Sequence, residues 1–293
     1  MVRASDRRVQ FSQNLLHNKH LVADLVSRSG ISEGDVVLEI GPGRGIITRE
    51  LADCCGHVFA IEKDPVATSI LQERFLGRGN VTIFSADFLD FPLPASAFKV
   101  FSNIPYNITT AIVGKLTTGV APPLDTWLVI QKEAAAKLVG QPRQTLTSLK
   151  LMPMFELSIE HQFRRSDFRP TPAVDSVLLR IGKRQQPLLA AADIARFHDF
   201  VTAVFTAWKP NLREALLSVL PHEVVSSWDR NLAQSLLAKP GDAPVHVWIA
   251  MYRQLVKFDT QLLWKRIDGA SQRLAEQQNA LQKDHRSRNS GRR

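Results

Sequence analysis

Val36-Val37-Leu38-Glu39-Ile40-Gly41-Pro42-Gly43-Arg44-Gly45 decides how the rest of the chain is read. Its first five residues are apolar except for Glu39. A short run of that kind suits a strand covered on both faces of a parallel sheet. Three alternating glycines follow, and then a helical apolar pattern over Ile46–Cys54. Glycine lets a backbone turn sharply and approach a ligand closely. A strand that passes through such a turn into a helix is the opening unit of an α/β fold.

The flanking sequence continues the same rhythm. His57–Ile61 reads as a strand, Pro65–Leu76 as a helix, Val81–Ser85 and Val100–Ser102 as strands, Thr110–Thr118 as a helix, Trp127–Ile130 as a strand and Glu133–Val139 as a helix. This alternation predicts a mainly parallel sheet with helices on both faces. Phe155–Phe163 and Ser176–Ile181 follow with no helix between them, only the loop Arg164–Pro172, which predicts an antiparallel edge. Upstream, residues 11–29 place Leu15, Leu21, Val22, Leu25 and Val26 at helical spacing, with Gly30 to stop the helix.

Composition shifts at Lys183-Arg184-Gln185-Gln186-Pro187, and the pattern beyond it is purely helical. Ile194, Phe197, Val201, Val204 and Phe205 share one face; Val247, Met251, Leu255 and Phe258 share another. The expected organisation is a catalytic domain over 1–182, a small helical domain over 183–258 and a basic tail over 259–293. The tail is read as an appendage outside the core, with disorder over 284–293, which has no aliphatic side chain.

The chain has 293 residues, enough for two domains and a core that needs no disulfide. Adjacent Cys54 and Cys55 form no disulfide framework and have no metal-ligand spacing around them, so they read as packing residues. No apolar run is long enough for a membrane helix, and the first ten residues lack the apolar segment of a secretion signal. A cytoplasmic protein is expected. There are 37 Lys and Arg against 28 Asp and Glu, a net +9. Residues 1–182 hold 20 basic and 18 acidic side chains, and residues 183–293 hold 17 and 10. A surplus of this size suggests a polyanionic partner, met mainly by the C-terminal part.

The glycine turn is neither of the common phosphate loops. Position 46 is Ile, which breaks the dinucleotide fingerprint, and no Gly-Lys-Ser/Thr follows. Glu62 ends the next strand, 21 residues after Gly41, where a carboxylate can accept hydrogen bonds from ribose hydroxyls. Asp87 follows a third strand and could accept from an adenine amine. An adenosyl ligand without a phosphate site is implied, and S-adenosylmethionine fits. Asn103-Ile104-Pro105-Tyr106 follows a fourth strand. The reaction this turn suits is methyl transfer to an exocyclic amine, whose lone pair is delocalised into its ring. The Asn103 side-chain carbonyl and the Ile104 backbone carbonyl could face the amine hydrogens, and Pro105 would fix the turn that aims them. Tyr106 offers a flat face for an extruded base. Catalysis would be positioning and electrostatics, with no metal and no covalent nucleophile.

With these residues in place the chain resembles the rRNA adenine N6-dimethyltransferase family, and within it the Erm-type macrolide-resistance enzymes. The motifs are Gln13-Asn14-Leu15-Leu16, Glu39-Ile40-Gly41-Pro42-Gly43-Arg44-Gly45, Ala60-Ile61-Glu62-Lys63-Asp64, Ala86-Asp87-Phe88-Leu89, Asn103-Ile104-Pro105-Tyr106-Asn107-Ile108-Thr109-Thr110 and Phe168-Arg169-Pro170-Thr171-Pro172-Ala173-Val174-Asp175-Ser176. They cover about residues 7–182 in family order; Thr109-Thr110 stands where Ser-Thr is more usual. The resemblance implies a Rossmann-like class I methyltransferase. It places Asn14, Leu16, Gly41, Gly43, Glu62, Asp87 and Asn103 at the S-adenosylmethionine site. It makes Tyr106 a base-stacking ring and Phe168 a second one. It further implies action on one adenine of 23S rRNA before the ribosome is fully assembled; nothing in the sequence demands a dimer, and a monomer is expected. Methylation there blocks macrolide, lincosamide and streptogramin B binding. A housekeeping 16S rRNA enzyme of the same superfamily shares every catalytic motif. A non-catalytic nucleic-acid-binding protein of this fold is disfavoured by the intact motifs. His17 and His20 read as a solvated helix face. Trp208, Trp228, Trp248 and Trp264 read as core or helix contacts rather than base stackers.

Overall fold

A computed structural model describes residues 14–119, 121–258 and 261–290. The chain divides into two compact units. One runs to Ala136 and resumes over Phe155–Arg184; the other comprises Lys137–Met154 and the chain from Gln185 onward.

The first unit is built on a seven-stranded sheet. Its strands are β2 (Val36–Ile40), β3 (His57–Glu62), β4 (Val81–Ser85), β5 (Lys99–Asn103), β6 (Asp125–Gln131), β7 (Phe155–Gln162) and β9 (Ser176–Lys183), in the order β4-β3-β2-β5-β6-β9-β7. The pairs from β4 to β6 are parallel; β9 runs antiparallel to β6, and β7 antiparallel to β9. This is the expected α/β architecture with its antiparallel edge. The connecting helices are α1 (Lys19–Arg28), α2 (Ile46–Ala52), α3 (Pro65–Arg74), α4 (Thr109–Thr118) and α5 (Lys132–Val139), the last crossing the division between the units. The central strands are apolar because both faces are covered: Val37, Leu38, Val58, Ala60, Val100 and Leu128 are all fully buried.

The N-terminal reading needs one correction. Helix α1 begins only at Lys19, where the Asn18 side chain accepts the Leu21 N–H at 3.2 Å as an N-cap. Leu15–Leu16 forms instead a short strand, β1, paired antiparallel with β8 (Phe168–Arg169). Residues 11–13, including Gln13, lie outside the described residues.

The second unit is all helical: α6 (Leu146–Leu151), α7 (Ile194–Phe205), α8 (Leu212–Leu217), α9 (His222–Leu237), α10 (Val245–Lys257), α11 (Gln261–Trp264) and α12 (Ala270–Ser290). Phe197, Val201 and Val204 face its core as expected, with Val247, Met251 and Leu255, but Phe258 is 40% exposed. The extent of this unit differs from the sequence reading at two places. The segment 137–154 joins it because Leu149 enters its apolar cluster, Gln144 N–H donates to Gly241 O at 2.7 Å and Arg143 pairs with Asp242 at 2.8 Å. The start of the expected tail is core, since Leu263, Trp264 and Ile267 are buried in the same cluster. The helix that follows is held at its start by the Asp199 carboxylate, which accepts the N–H groups of Gly269 and Ser271 at 2.7 and 2.9 Å. It continues to Ser290; residues 291–293 are not described. Ala, Leu, Glu, Gln, Lys and Arg dominate 270–283, and their helix propensity carries the segment without an aliphatic face. Among the described residues no helix is long and apolar enough to cross a membrane.

Candidate active site

The sheet reverses its winding between β2 and β5. In open α/β sheets ligands bind in the crevice at such a switch point, beyond the carboxyl ends of the strands. The chain brings Gly41, Glu62, Asp87 and Asn103 there, from the ends of four neighbouring parallel strands. A small pocket opens at this point, lined by Leu15, Leu16, Glu39, Gly41, Ile47 and Asn103 among others.

The glycine turn is pinned by its backbone: Gly41 N–H donates to Ile61 O at 2.9 Å and Gly45 N–H to Pro42 O at 2.8 Å. Gly41, Gly43 and Gly45 all have positive φ, between 55° and 69°. A Cβ on Gly41 would meet nothing within 4 Å, so this turn leaves open space where a ligand would lie against the backbone. At Gly43 the Leu15 side chain already fills that place. Leu16, expected at the cofactor site, is mostly buried in the core as well as lining the pocket.

Glu62 is buried, and each of its oxygens accepts one backbone N–H: Oε2 from Gly43 at 3.3 Å and Oε1 from Asp64 at 3.0 Å. Those bonds lock the carboxylate and leave acceptor capacity on both oxygens for a ribose diol. Asp87 Oδ1 accepts the Leu89 N–H at 2.9 Å, while Oδ2 takes the Lys63 ammonium at 2.6 Å. The Lys63 ammonium first, and the Leu89 N–H second, hold the Asp87 carboxyl below its ordinary range. It is therefore ionised at neutral pH and remains an acceptor. Its loop is fastened by Lys115, whose ammonium donates to the carbonyls of Phe88, Leu89 and Phe91.

Asn103 ends β5, and its Nδ2 donates to the Asn14 carbonyl at 2.7 Å. That bond fixes the amide plane and leaves Oδ1 on the opposite edge with no protein donor among the described residues. Asn14 thus acts here through its backbone, orienting Asn103. Ser102, one residue earlier, accepts the Ile40 N–H at 2.7 Å and ties the ends of β5 and β2 together. The turn continues through buried Ile104 and through Pro105 at φ −62° into a helical turn that starts at Tyr106. The Tyr106 hydroxyl shares a 2.6 Å hydrogen bond with Ser176 Oγ. Burial pushes the phenol above its ordinary value, so it stays neutral.

One expected site residue is not placed as the sequence suggested. Phe168 is 1% exposed, lies in the β1–β8 pair opposite Leu16, and meets the Phe163 ring edge-on at 5.3 Å. It presents no free face to a base; its role in this structure is to anchor the segment that carries Asn14. Ser102, Lys63, Lys115 and Ser176 were not singled out from the sequence. Lys63 and Ser176 stand within quoted motifs but were given no role, and the signal of Ser102 and Lys115 was positional only. Glu39 was quoted within the glycine motif but given no role. It is 1% exposed and accepts the Thr48 hydroxyl at 2.6 Å. Burial first, and then the charge of Glu62, push its carboxyl up to about 8.

The residues present fit S-adenosylmethionine. The open cradle at Gly41, the locked but unsaturated carboxylate of Glu62, the acceptor Asp87 and the free carbonyl of Asn103 match a sugar, an adenine and an amine in succession.

Comparison with known proteins agrees with this geometry. The sequence profile of a family described as ribosomal RNA adenine dimethylase matches residues 4–241. An rRNA adenine N-6-methyltransferase of Saccharopolyspora erythraea is 35% identical over 222 residues, covering 75% of this chain and 58% of its own length. The chain thus spans less than two thirds of that relative. A ribosomal RNA small subunit methyltransferase A of Acaryochloris marina is 30% identical over 257 residues, covering 83% of this chain and 95% of its own. The crystal structure of the 23S rRNA methyltransferase ErmE superposes with a TM-score of 0.77 at 30% identity, covering 83% of this chain and all of that one.

Proposed function

The chain belongs to the ribosomal RNA adenine dimethylase family, and on that premise we propose that it transfers methyl groups from S-adenosylmethionine to the exocyclic N6 of one adenine in 23S rRNA. The observation that carries this reading is the free Asn103 Oδ1, aimed by the Asn14 carbonyl and set beside Tyr106 at the end of the switch-point strand. S-adenosylmethionine, when bound, supplies an electrophilic methyl group on a sulfonium.

The protein's part is positional. Glu62 holds the ribose hydroxyls, Asp87 accepts from the adenine of the cofactor, and Gly41 admits the ligand against the backbone. Asn103 Oδ1 and the Ile104 carbonyl accept the two hydrogens of the target amine and favour the pyramidal nitrogen needed for attack. Tyr106 stacks on the extruded base. The methylated amine is acidic and gives its extra proton to water. Holding both reactants in line replaces an encounter in solution by a near-unimolecular step.

The helical unit is the RNA-binding part in this reading. It carries most of the surplus charge: residues 185–293 hold 15 basic and 10 acidic side chains, and 137–154 add Lys137, Arg143 and Lys150 with no acid. The enzyme acts as a cytoplasmic monomer on rRNA before the ribosome is complete, and modification of the adenine confers macrolide, lincosamide and streptogramin B resistance. Likeness to ErmE supports the 23S target. The fuller coverage of the small-subunit enzyme favours the second reading, a housekeeping 16S rRNA methyltransferase. Incubation of purified 23S and 16S rRNA with methyl-labelled cofactor separates them. Label in 23S rRNA is expected; label in 16S rRNA alone, or in neither, rejects the proposal.

A further inference from the structure

Four of the five tryptophans are buried, and the fifth is not: Trp208 is 92% exposed, while Trp127, Trp228, Trp248 and Trp264 are 5% exposed or less. The sequence reading of Trp208 as a core contact is therefore corrected. It lies in the loop between α7 and α8 with φ 54°, the left-handed backbone that glycine adopts freely and a bulky side chain rarely does. Neither packing nor backbone preference explains a tryptophan at this place.

The surroundings point to a partner. Lys209 follows directly and is exposed. The loop is joined to the end of α9 by a hydrogen bond from Leu212 N–H to Ala238 O at 2.8 Å. That bond brings exposed Leu237 and Lys239 alongside. Among the described residues neither lysine ammonium makes an ion pair. The nearest acids in sequence are engaged elsewhere: Glu214 accepts the Asn211 side-chain amide at 2.8 Å, and Asp242 pairs with Arg143 at 2.8 Å. An exposed flat ring next to an unpaired cation in sequence, on a loop tied to the segment that carries a second one, fits a nucleobase flanked by phosphates. Protein interfaces are also enriched in tryptophan but depleted in lysine, so the lysines favour RNA.

We infer that Trp208 is a stacking platform for an unpaired base of the RNA substrate, with Lys209 and Lys239 on the flanking phosphates. The inference rests on the rRNA reading above and adds to it a second point of contact, in the helical unit, distinct from the base at Tyr106. Stacking requires an exposed π-face, so the base must come from a loop, bulge or single-stranded stretch.

Trp208→Ala, Trp208→Gly and Trp208→Phe are compared with the unaltered protein for binding to a 23S rRNA transcript over a range of salt. The alanine and glycine variants should bind about tenfold more weakly at every salt concentration, leaving the salt slope unchanged, and phenylalanine should restore part of the loss. Lys209→Ala with Lys239→Ala should flatten the slope instead. Trp208→Gly should also raise the melting temperature, which separates loss of binding from loss of fold. RNA should shield the fraction of tryptophan fluorescence that acrylamide quenches. Unchanged affinity in Trp208→Ala overturns the inference, as does a loss confined to self-association in sedimentation. Methyl transfer by the unaltered protein, run in parallel, separates the two claims. Transfer with unchanged Trp208→Ala affinity rejects the platform alone, whereas neither transfer nor RNA binding by the unaltered protein rejects both.

Discussion

Glu39 shows how a single buried group sets a pH response. Its carboxyl has an ordinary value of 4.5 and is raised to about 8 by burial and by the charge of Glu62. Between those values the folded protein holds a proton that the unfolded chain has released. Unfolding then releases a proton, so rising pH favours it, by at most about 1.4 kcal/mol per pH unit through this window. Glu39→Gln keeps a neutral group beside Thr48 and removes the titration. The two proteins should melt at similar temperatures near pH 5, and the variant should be the more stable by pH 8.5. A gap that stays constant over this range, measured by calorimetry, would mean that Glu39 titrates normally. Tyr106 is tested at the same scale. Tyr106→Phe loses only the hydrogen bond to Ser176 and should keep most methyl transfer. Tyr106→Ala loses the stacking face, worth about 1–3 kcal/mol, and should lose most transfer while still binding S-adenosylhomocysteine. Equal loss of ligand binding would make Tyr106 a fold residue.

The glycine turn separates fold from function within one element. A Cβ on Gly45 would meet Phe75 Cε2 at 2.8 Å and Leu71 Cδ2 at 2.9 Å, at φ 69°. Gly45→Ala therefore combines left-handed strain with overpacking and should lower the unfolding free energy by about 2–4 kcal/mol in urea titrations. Gly41→Ala meets open space and carries the backbone strain alone, about 1–2 kcal/mol. Its methyl group would occupy the ligand's place, so S-adenosylhomocysteine should bind at least about tenfold more weakly by calorimetry, equivalent to roughly 1.4 kcal/mol. Undiminished binding would remove Gly41 from the cradle. This turn was legible in sequence because its strand, glycines and helix are contiguous, and Glu62, Asp87 and Asn103 followed from strand ends in the same way. The β1–β8 pair was not legible. Leu15 and Leu16 find their partners some 150 residues away, and two residues carry no periodicity. Phe168 was misread for the same reason, since its burial comes from that distant pairing. Helix α6, six residues long, is too short for an apolar pattern to register. Trp208 shows the limit from the other side: in a loop, residue type alone does not say whether a ring faces the core or the solvent.

At the scale of the molecule the question is where the core ends and the basic appendage begins. Apolar periodicity ending at Phe258 and basic composition beyond it placed the limit at residue 259, but Leu263, Trp264 and Ile267 are packed beyond it. Each buried side chain of that size contributes about 1.5–3 kcal/mol. Losing all three would consume a large part of the 5–15 kcal/mol that typically separates folded from unfolded protein. A chain ending at residue 259 should therefore unfold at much lower urea, or fail to accumulate folded at all. A chain ending at residue 280 keeps the buried residues and the Asp199 hold on the start of α12. It loses Lys283, Arg286, Arg288, Arg292 and Arg293 against a single acid, Asp284. Its urea midpoint should match that of the full chain, while its RNA affinity should fall and its salt slope shallow by about 0.7–0.9 for each phosphate contact removed. Unlike a Trp208 substitution, this truncation should have its largest effect at low salt and little effect at high salt. An unchanged slope in the 280-residue chain would confine RNA contact to the residues before it.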